Sequence, residues 1–191
     1  PIMGYRTGWR HLLPAVDGEP FRVVTFNVGG DARAGGTVAY LLPTLLVDWA
    51  PDFVAFQECG RSLGRAVREM TGWHHWVGSG SCVLSRHPIR GSEAMDRSGL
   101  AQVRRTSDAG GAGFVVRHVV QSPMGLIDVT TLHLETPRKG FEGVPDGDIE
   151  LLRANTAIRD IESRLARRFV EAGRHPRVVA GDFNTPVESR I

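Results

Sequence analysis

Apolar positions recur along the chain with two periods, and the switches between them mark out its elements. From 21 to 28 the run Phe-Arg-Val-Val-Thr-Phe-Asn-Val alternates and is β-branched, which predicts a strand that ends at Gly29-Gly30. Over 37–49 the residues Val38, Leu41, Leu42, Leu45, Leu46 and Trp49 fall on one helical face. Thr37 is placed to cap this helix, and Pro43 either kinks it or marks a later start. A second buried strand follows over 52–58 and finishes in Gln57 and Glu58. Strands joined through a helix run parallel and end on one edge of the sheet, so Asn27 and Glu58 are expected to be neighbours.

The rest of the chain reads as a short helix over 61–70, then a hairpin of 73–77 and 81–85 around Gly78-Ser-Gly80. Residues 91–111 are polar and glycine-rich, with weak strand character. Strands over 113–121 and 126–134 are joined by a turn at Ser122-Pro-Met-Gly125. After a loop over 135–147 comes the clearest element, a helix over 148–172. Its face of Leu151, Ala154, Ile158, Ile161, Leu165 and Phe169 opposes Arg153, Asp160, Arg164 and Arg167. Asp146 or Asp148 is expected to cap it and Gly173 to end it. Val178-Val-Ala180 is a last buried strand, opened by Gly181 into Asp182-Phe-Asn184 and closed by Pro186.

Composition narrows the picture only slightly. The chain has 191 residues, enough for one sizeable core, and 41% hydrophobic with 23% charged residues is ordinary for a soluble domain. One domain is expected over 21–191, preceded by a linker or extension at 1–20. A net charge of +2 makes no electrostatic case for nucleic acid or an anionic membrane. Cys59 and Cys82 form neither a disulfide framework nor a metal pattern, and read as small buried residues. His87, held before Pro88, reads as a surface loop residue without a role. No apolar run reaches membrane-span length. The chain starts at Pro1 and stops at Ile191, so it reads as a piece of a longer protein, and its compartment, cytoplasmic or extracytoplasmic, stays open.

Chemistry gathers at the strand ends. Asp182 and Asn184 point the same way along an extended chain, placing a carboxylate and a carboxamide together; an Asx-turn is the local alternative. Asn27 has the alternative of bonding the Gly29-Gly30 turn, and His133 that of a packed strand residue. Taken together, Asn27, Glu58, His133, Asp182 and Asn184 supply carboxylates, amides and an imidazole. Those are the groups needed to attack a phosphorus centre beside a hard, oxygen-bound ion such as Mg²⁺ or Mn²⁺.

The pieces Thr25-Phe-Asn27-Val, Ala55-Phe-Gln-Glu58, Val83-Leu-Ser-Arg-His-Pro-Ile89, Thr131-Leu-His133-Leu and Gly181-Asp182-Phe-Asn184-Thr-Pro resemble, in order, the motifs of the endonuclease/exonuclease/phosphatase superfamily. The resemblance implies an α/β four-layer sandwich, two packed β-sheets flanked by helices, with the family's last strands missing here. It implies a divalent-metal-dependent hydrolase of phosphate esters. In that scheme Glu58 and Asn27 hold the metal, while His133, Asp182 and Asn184 are catalytic. Asn27 and Asn184 also touch the substrate phosphate. Apart from the resemblance, Arg138 and Lys139 follow His133 closely enough to reach that phosphate, an exposed loop charge being the alternative. The family's further Asp and its terminal Asp-His pair would lie beyond Ile191, so the piece alone is expected to be inactive. Arg97, Arg104 and Arg105 all compete for a phosphate-facing arginine. The substrate, whether nucleic acid, phospholipid or inositol phosphate, is undecided; a monomer without a protein partner is expected. The alternative is a non-catalytic phosphate-binding or scaffold domain that retains the fold.

Overall fold

The computed structural model describes residues 20–29, 43–44, 46–100, 113–147 and 149–185. Among the described residues eight strands form two mixed four-stranded sheets. The first contains β1 (Val23–Asn27), β2 (Phe53–Gln57), β3 (His74–Gly78) and β4 (Ser81–Ser85) in the order β1-β2-β4-β3. The second contains β5 (Ile89–Ala94), β6 (Phe114–Ser122), β7 (Gly125–His133) and β8 (Arg177–Asp182) in sequence order. Besides a helical piece at 43–44 and 46–48, the helices among the described residues are α1 (Arg61–Thr71), the single turn α2 (Arg138–Phe141) and α3 (Glu150–Glu171).

Alternation in the central strands sorts side chains into three apolar layers. Phe53, Ala55 and Val83 meet Val120, Ile127 and Val129, which glues one sheet to the other. Val54, Phe56 and Leu84 point the opposite way, toward Val24, Trp73 and Val77. Val115, Leu132 and Leu134 on the far face of the second sheet pack on Leu165, Ala166 and Phe169 of α3. Strands buried on both faces are the reason β2 and the centre of β4 read as apolar runs.

Two parallel pairings matter most. β1 runs parallel to β2 with Asn27 opposite Gln57, and β7 runs parallel to β8 with His133 opposite Asp182. β1 and β8 are edge strands of different sheets, and they approach each other across the sandwich. All four strands therefore end at one rim.

Several expectations need correcting. Cys59 and Cys82 are buried, but they are joined in a disulfide with Cα atoms 5.6 Å apart. The bond depends on the β2–β4 register, which sets Phe56 opposite Cys82 and lets Cys59 N–H donate to Gly80 O at 3.0 Å. His87 is partly buried and bonds Asp52 Oδ1 through Nε2 at 2.9 Å, so it fastens its loop to the turn before β2. Within the polar stretch after Pro88, Ile89–Ala94 is a regular strand on β6, interrupted by an irregularity between Ile89 and Gly91. Helix α3 starts after Ile149 without a side-chain cap, and Asp146 belongs to a separate 3₁₀ turn, Val144–Asp146; Asp148 lies outside the described residues. At the other end α3 closes at Ala172 with Gly173 next, as expected, and Arg177 donates to Val170 O, Glu171 O and Gly173 O. Of the expected helix over 37–49, residues 43–44 and 46–48 are helical and the remainder before Trp49 lies outside the described residues, as do 1–19, Arg104 and Arg105.

Among the described residues no helix is long and apolar enough to cross a membrane.

Candidate active site

The rim is assembled by local geometry at each strand end. Glu58 follows β2 at φ +55°, a left-handed conformation uncommon for a side-chain-bearing residue. Chain direction breaks there, and Glu58 is exposed rather than continuing the buried strand. Beneath it, buried Gln57 exchanges hydrogen bonds with Thr25, locking β1 to β2. In the second sheet Gly181 has φ +151°, and a Cβ there would lie 1.9 Å from Leu132 O. Only glycine lets β8 lie this close to β7. The closeness delivers Asp182 directly opposite His133.

Asn27 stands at the centre. Its Nδ2 donates to Glu58 Oε1 at 3.0 Å and to Asp182 Oδ2 at 2.9 Å, bridging carboxylates from the two sheets. Its Oδ1 accepts the Gly29 N–H at 3.0 Å, which fixes which way the amide faces. The local turn bond and the long-range bridge are thus made by the same side chain. His133 Nε2 lies 3.8 Å from Glu58 Oε1 and 3.9 Å from Asp182 Oδ2, facing both acids. Its ring packs edge-on to Phe114, with centroids 5.8 Å apart.

Asp182 is also oriented from its own loop. Its Oδ1 accepts the Asn184 N–H at 2.9 Å, an Asx-turn, while Oδ2 remains on Asn27. Asn184 adopts φ +49° and donates its carboxamide to Leu134 O at 2.7 Å. The structure therefore brings Asn27, Glu58, His133 and Asp182 together, with Asn184 serving Asp182 through its backbone. Arg138 opens α2 as an exposed residue, and its guanidinium makes no hydrogen bond or ion pair among the described residues. Arg97 is directed away, its guanidinium 3.8 Å from Glu162 Oε1 in the interior.

The donor set fits a hard divalent cation. Two carboxylates share one amide nitrogen and are partly open to water, with side-chain exposures of 42% for Glu58 and 31% for Asp182. Among the described residues no three His, Cys, Asp or Glu side chains enclose a metal by themselves. Mg²⁺ takes only one or two protein carboxylates and fills its remaining positions with water and phosphate oxygens. As it stands, Asn27 presents nitrogen to this cluster; offering its oxygen would mean turning the amide away from Gly29.

Sequence reading overlooked three residues of α3. Asn155 donates to Thr136 O at 3.1 Å, and Arg159 donates to Glu135 O at 3.1 Å and to Asn184 O at 2.8 Å. Glu162 accepts the Glu135 N–H at 2.6 Å, and burial raises its carboxyl above the ordinary glutamate value. The signal was present in the chain: 155, 159 and 162 form a polar stripe at helical spacing beside an apolar one.

Residues 24–191 match the sequence model of the Endonuclease/Exonuclease/phosphatase family. No curated protein matches the chain. Among solved structures, D. rerio TDP2 complexed with single-strand DNA product is similar at TM-score 0.63 and 17% identity, over 87% of this chain and 61% of that one. A Bacteroides thetaiotaomicron mannosyl-6-phosphatase is similar at TM-score 0.58 and 15% identity, over 86% and 66%. ANGEL2, a 2′,3′-cyclic phosphatase, is similar at TM-score 0.52 and 16% identity, over 88% and 55%. At these identities the likeness establishes the fold. The chain spans less than two thirds of the length of each of the three.

Proposed function

The chain belongs to the endonuclease/exonuclease/phosphatase family, and from that premise we propose that it carries the water-activating half of a divalent-metal-dependent phosphoesterase site. One observation supports this reading above the others: Asn27 Nδ2 joins Glu58 and Asp182, acids brought from different sheets, with His133 Nε2 facing both. A scaffold has no need to hold two carboxylates and an imidazole at one exposed point.

In this reading water attacks phosphorus in line with the ester oxygen that leaves. Asp182, its carboxylate held by Asn27 and by the Asn184 N–H, takes the proton from that water as the new P–O bond forms. His133 donates from Nε2 to a non-bridging phosphoryl oxygen as charge builds there. Glu58 would hold Mg²⁺ or Mn²⁺ with Asn27 alongside, and the cation supplies charge neutralisation at the phosphoryl and leaving oxygens. The departing alcohol receives its proton from solvent or from groups beyond the described residues. The similar proteins are a TDP2 complexed with single-strand DNA product, a mannosyl-6-phosphatase and a 2′,3′-cyclic phosphatase, so the fold does not select the ester. The Cys59–Cys82 disulfide supports an oxidising, extracytoplasmic setting.

The test is hydrolysis of bis-p-nitrophenyl phosphate and p-nitrophenyl phosphate, followed by DNA, RNA, phosphoinositide and sphingomyelin, using the longest native form of the chain. Turnover should require Mg²⁺ or Mn²⁺ and be abolished by EDTA. Asp182→Asn and Glu58→Gln should each lower it by about 100-fold or more, as removing an oxyanion donor does. Metal-independent turnover, or turnover that survives both substitutions, would refute the assignment. Magnesium binding without turnover of any ester would leave the scaffold alternative standing.

A further inference from the structure

We infer that Arg159 is a positioning residue for this site, a clamp on α3 that fixes the catalytic carboxylate through a backbone carbonyl it does not share with any substrate. The inference rests on the function proposed above. Its grounds are geometric. His133 and Asp182 end β7 and β8, and each strand runs straight into a short connecting segment, 134–136 or 183–185. Neither segment belongs to a sheet or helix, so its conformation must be held from outside.

Helix α3 does the holding with three polar residues on one stripe. Asn155 reaches Thr136 O and Glu162 reaches the Glu135 N–H, so both act on the segment after His133. Arg159 alone of the three joins the two segments, through Nε to Glu135 O and through one terminal nitrogen to Asn184 O. A guanidinium fork suits this task because its donors are coplanar and permanently charged. Asn184 needs the support. At φ +49° it is in a conformation that favours glycine, and its N–H donates to Asp182 Oδ1. Arg159 anchors residue 184 by its carbonyl, and the anchored residue keeps its N–H on the carboxylate that takes the water's proton. Arg159 acts through Asn184, so it raises turnover without contributing to ester binding.

The experiment compares wild type with Arg159→Ala, Arg159→Lys, Asn155→Ala and, as an outward-facing control, Arg164→Ala, which pairs with Asp160. Hydrogen exchange by mass spectrometry is read over 134–136 and 182–185. Arg159→Ala should speed exchange in both segments by about tenfold or more, with α3 itself and the melting temperature nearly unchanged. Asn155→Ala should loosen 134–136 only, and Arg164→Ala neither. In turnover, Arg159→Ala should lower kcat by about 10- to 100-fold with KM within about threefold. Arg159→Lys should keep a fraction of the activity, and added guanidinium ion should restore part of what Arg159→Ala loses. Unchanged exchange in 182–185, or a loss expressed wholly in KM, would overturn the inference. If wild type turns over no ester, the proposed function fails, while the exchange pattern still decides whether Arg159 clamps the two loops.

Discussion

His118 gives the protein a calculable weakness to acid. It lies in β6 at the interface of the two sheets and is fully buried. The ring sits 5.8 Å from that of Phe53 and 5.2 Å from that of Trp76. Its nitrogens meet Ser92 Oγ at 2.8 Å and Thr131 Oγ1 at 3.3 Å, and no carboxylate bonds it among the described residues. Burial without a counter-charge disfavours the imidazolium and takes the pKa from 6.5 down to about 4. The unfolded chain therefore binds this proton more readily than the folded one. Stability is complete above pH 6.5, declines as pH falls, and levels off below about 4. The gap from 6.5 to about 4 is about 2.5 pH units, which at roughly 1.4 kcal/mol per unit amounts to about 3 kcal/mol. At pH 5 the loss should already be about 2 kcal/mol. Urea unfolding of wild type and His118→Gln at several pH values between 7.5 and 4.5 isolates the effect, because carboxylates titrate alike in both proteins. The difference between the two stabilities should shift by about 2 kcal/mol between pH 7.5 and 5. Parallel curves would refute the reasoning. Should the variant fail to fold, NMR titration of wild type decides the matter, since the His118 ring must remain neutral at pH 5.5.

Two further outcomes follow from backbone geometry and cross-linking. Gly181→Ala sets a Cβ against Leu132 O at a φ of +151°, so it should cost about 2 kcal/mol or more by chemical denaturation and weaken the site by moving Asp182; a variant as stable as wild type would contradict the observed approach of β8 to β7. Replacing Cys59 and Cys82 by serine opens a loop with a sequence separation of 23, which should cost about 3 kcal/mol, and thiol titration of the unfolded, unreduced protein should find no free sulfhydryl among the two.

Most of the architecture was legible in the chain because its elements obey local rules. β2 and the centre of β4 are apolar, α3 carries an apolar face, and the Ser79-Gly80 turn takes positive φ at both residues, as a type I′ hairpin requires. The strand-end residues were legible for a related reason. Asn27, Glu58 and Asp182 are polar where an interior strand ought to stay apolar, and the structure sets both acids within hydrogen-bond reach of Asn27. What escaped depends on register or on distant partners. The disulfide requires knowing that β4 returns antiparallel beside β2. The end of α3 at Ala172, just before Gly173, was legible, but the bonds from Arg177 at the start of β8 to its last carbonyls were not. The polar stripe of α3 was visible only as an interruption of amphipathicity, since its partners are backbone atoms of loops whose course is fixed by the fold.

The physical demand at the rim comes from charge. Glu58 Oε1 and Asp182 Oδ2 lie 3.0 and 2.9 Å from the same nitrogen, so they are no further apart than about 6 Å. Two negative charges at that separation repel by about 1 kcal/mol in water and by about 3 kcal/mol at the effective dielectric of a protein surface. One neutral amide cannot cancel two full charges. Glu58 and Asn184 add backbone strain at φ +55° and +49°. A fold free to relax would turn Glu58 outward, where it is already partly exposed, and let Asn184 return to an extended conformation. Instead Asn27 ties both carboxylates inward, and Asn184 is fastened through its N–H, its carboxamide and its carbonyl. Repulsion and strain are thus retained together at the meeting edge of two sheets, and the parallel pairings of β1 with β2 and of β7 with β8 are what bring them there.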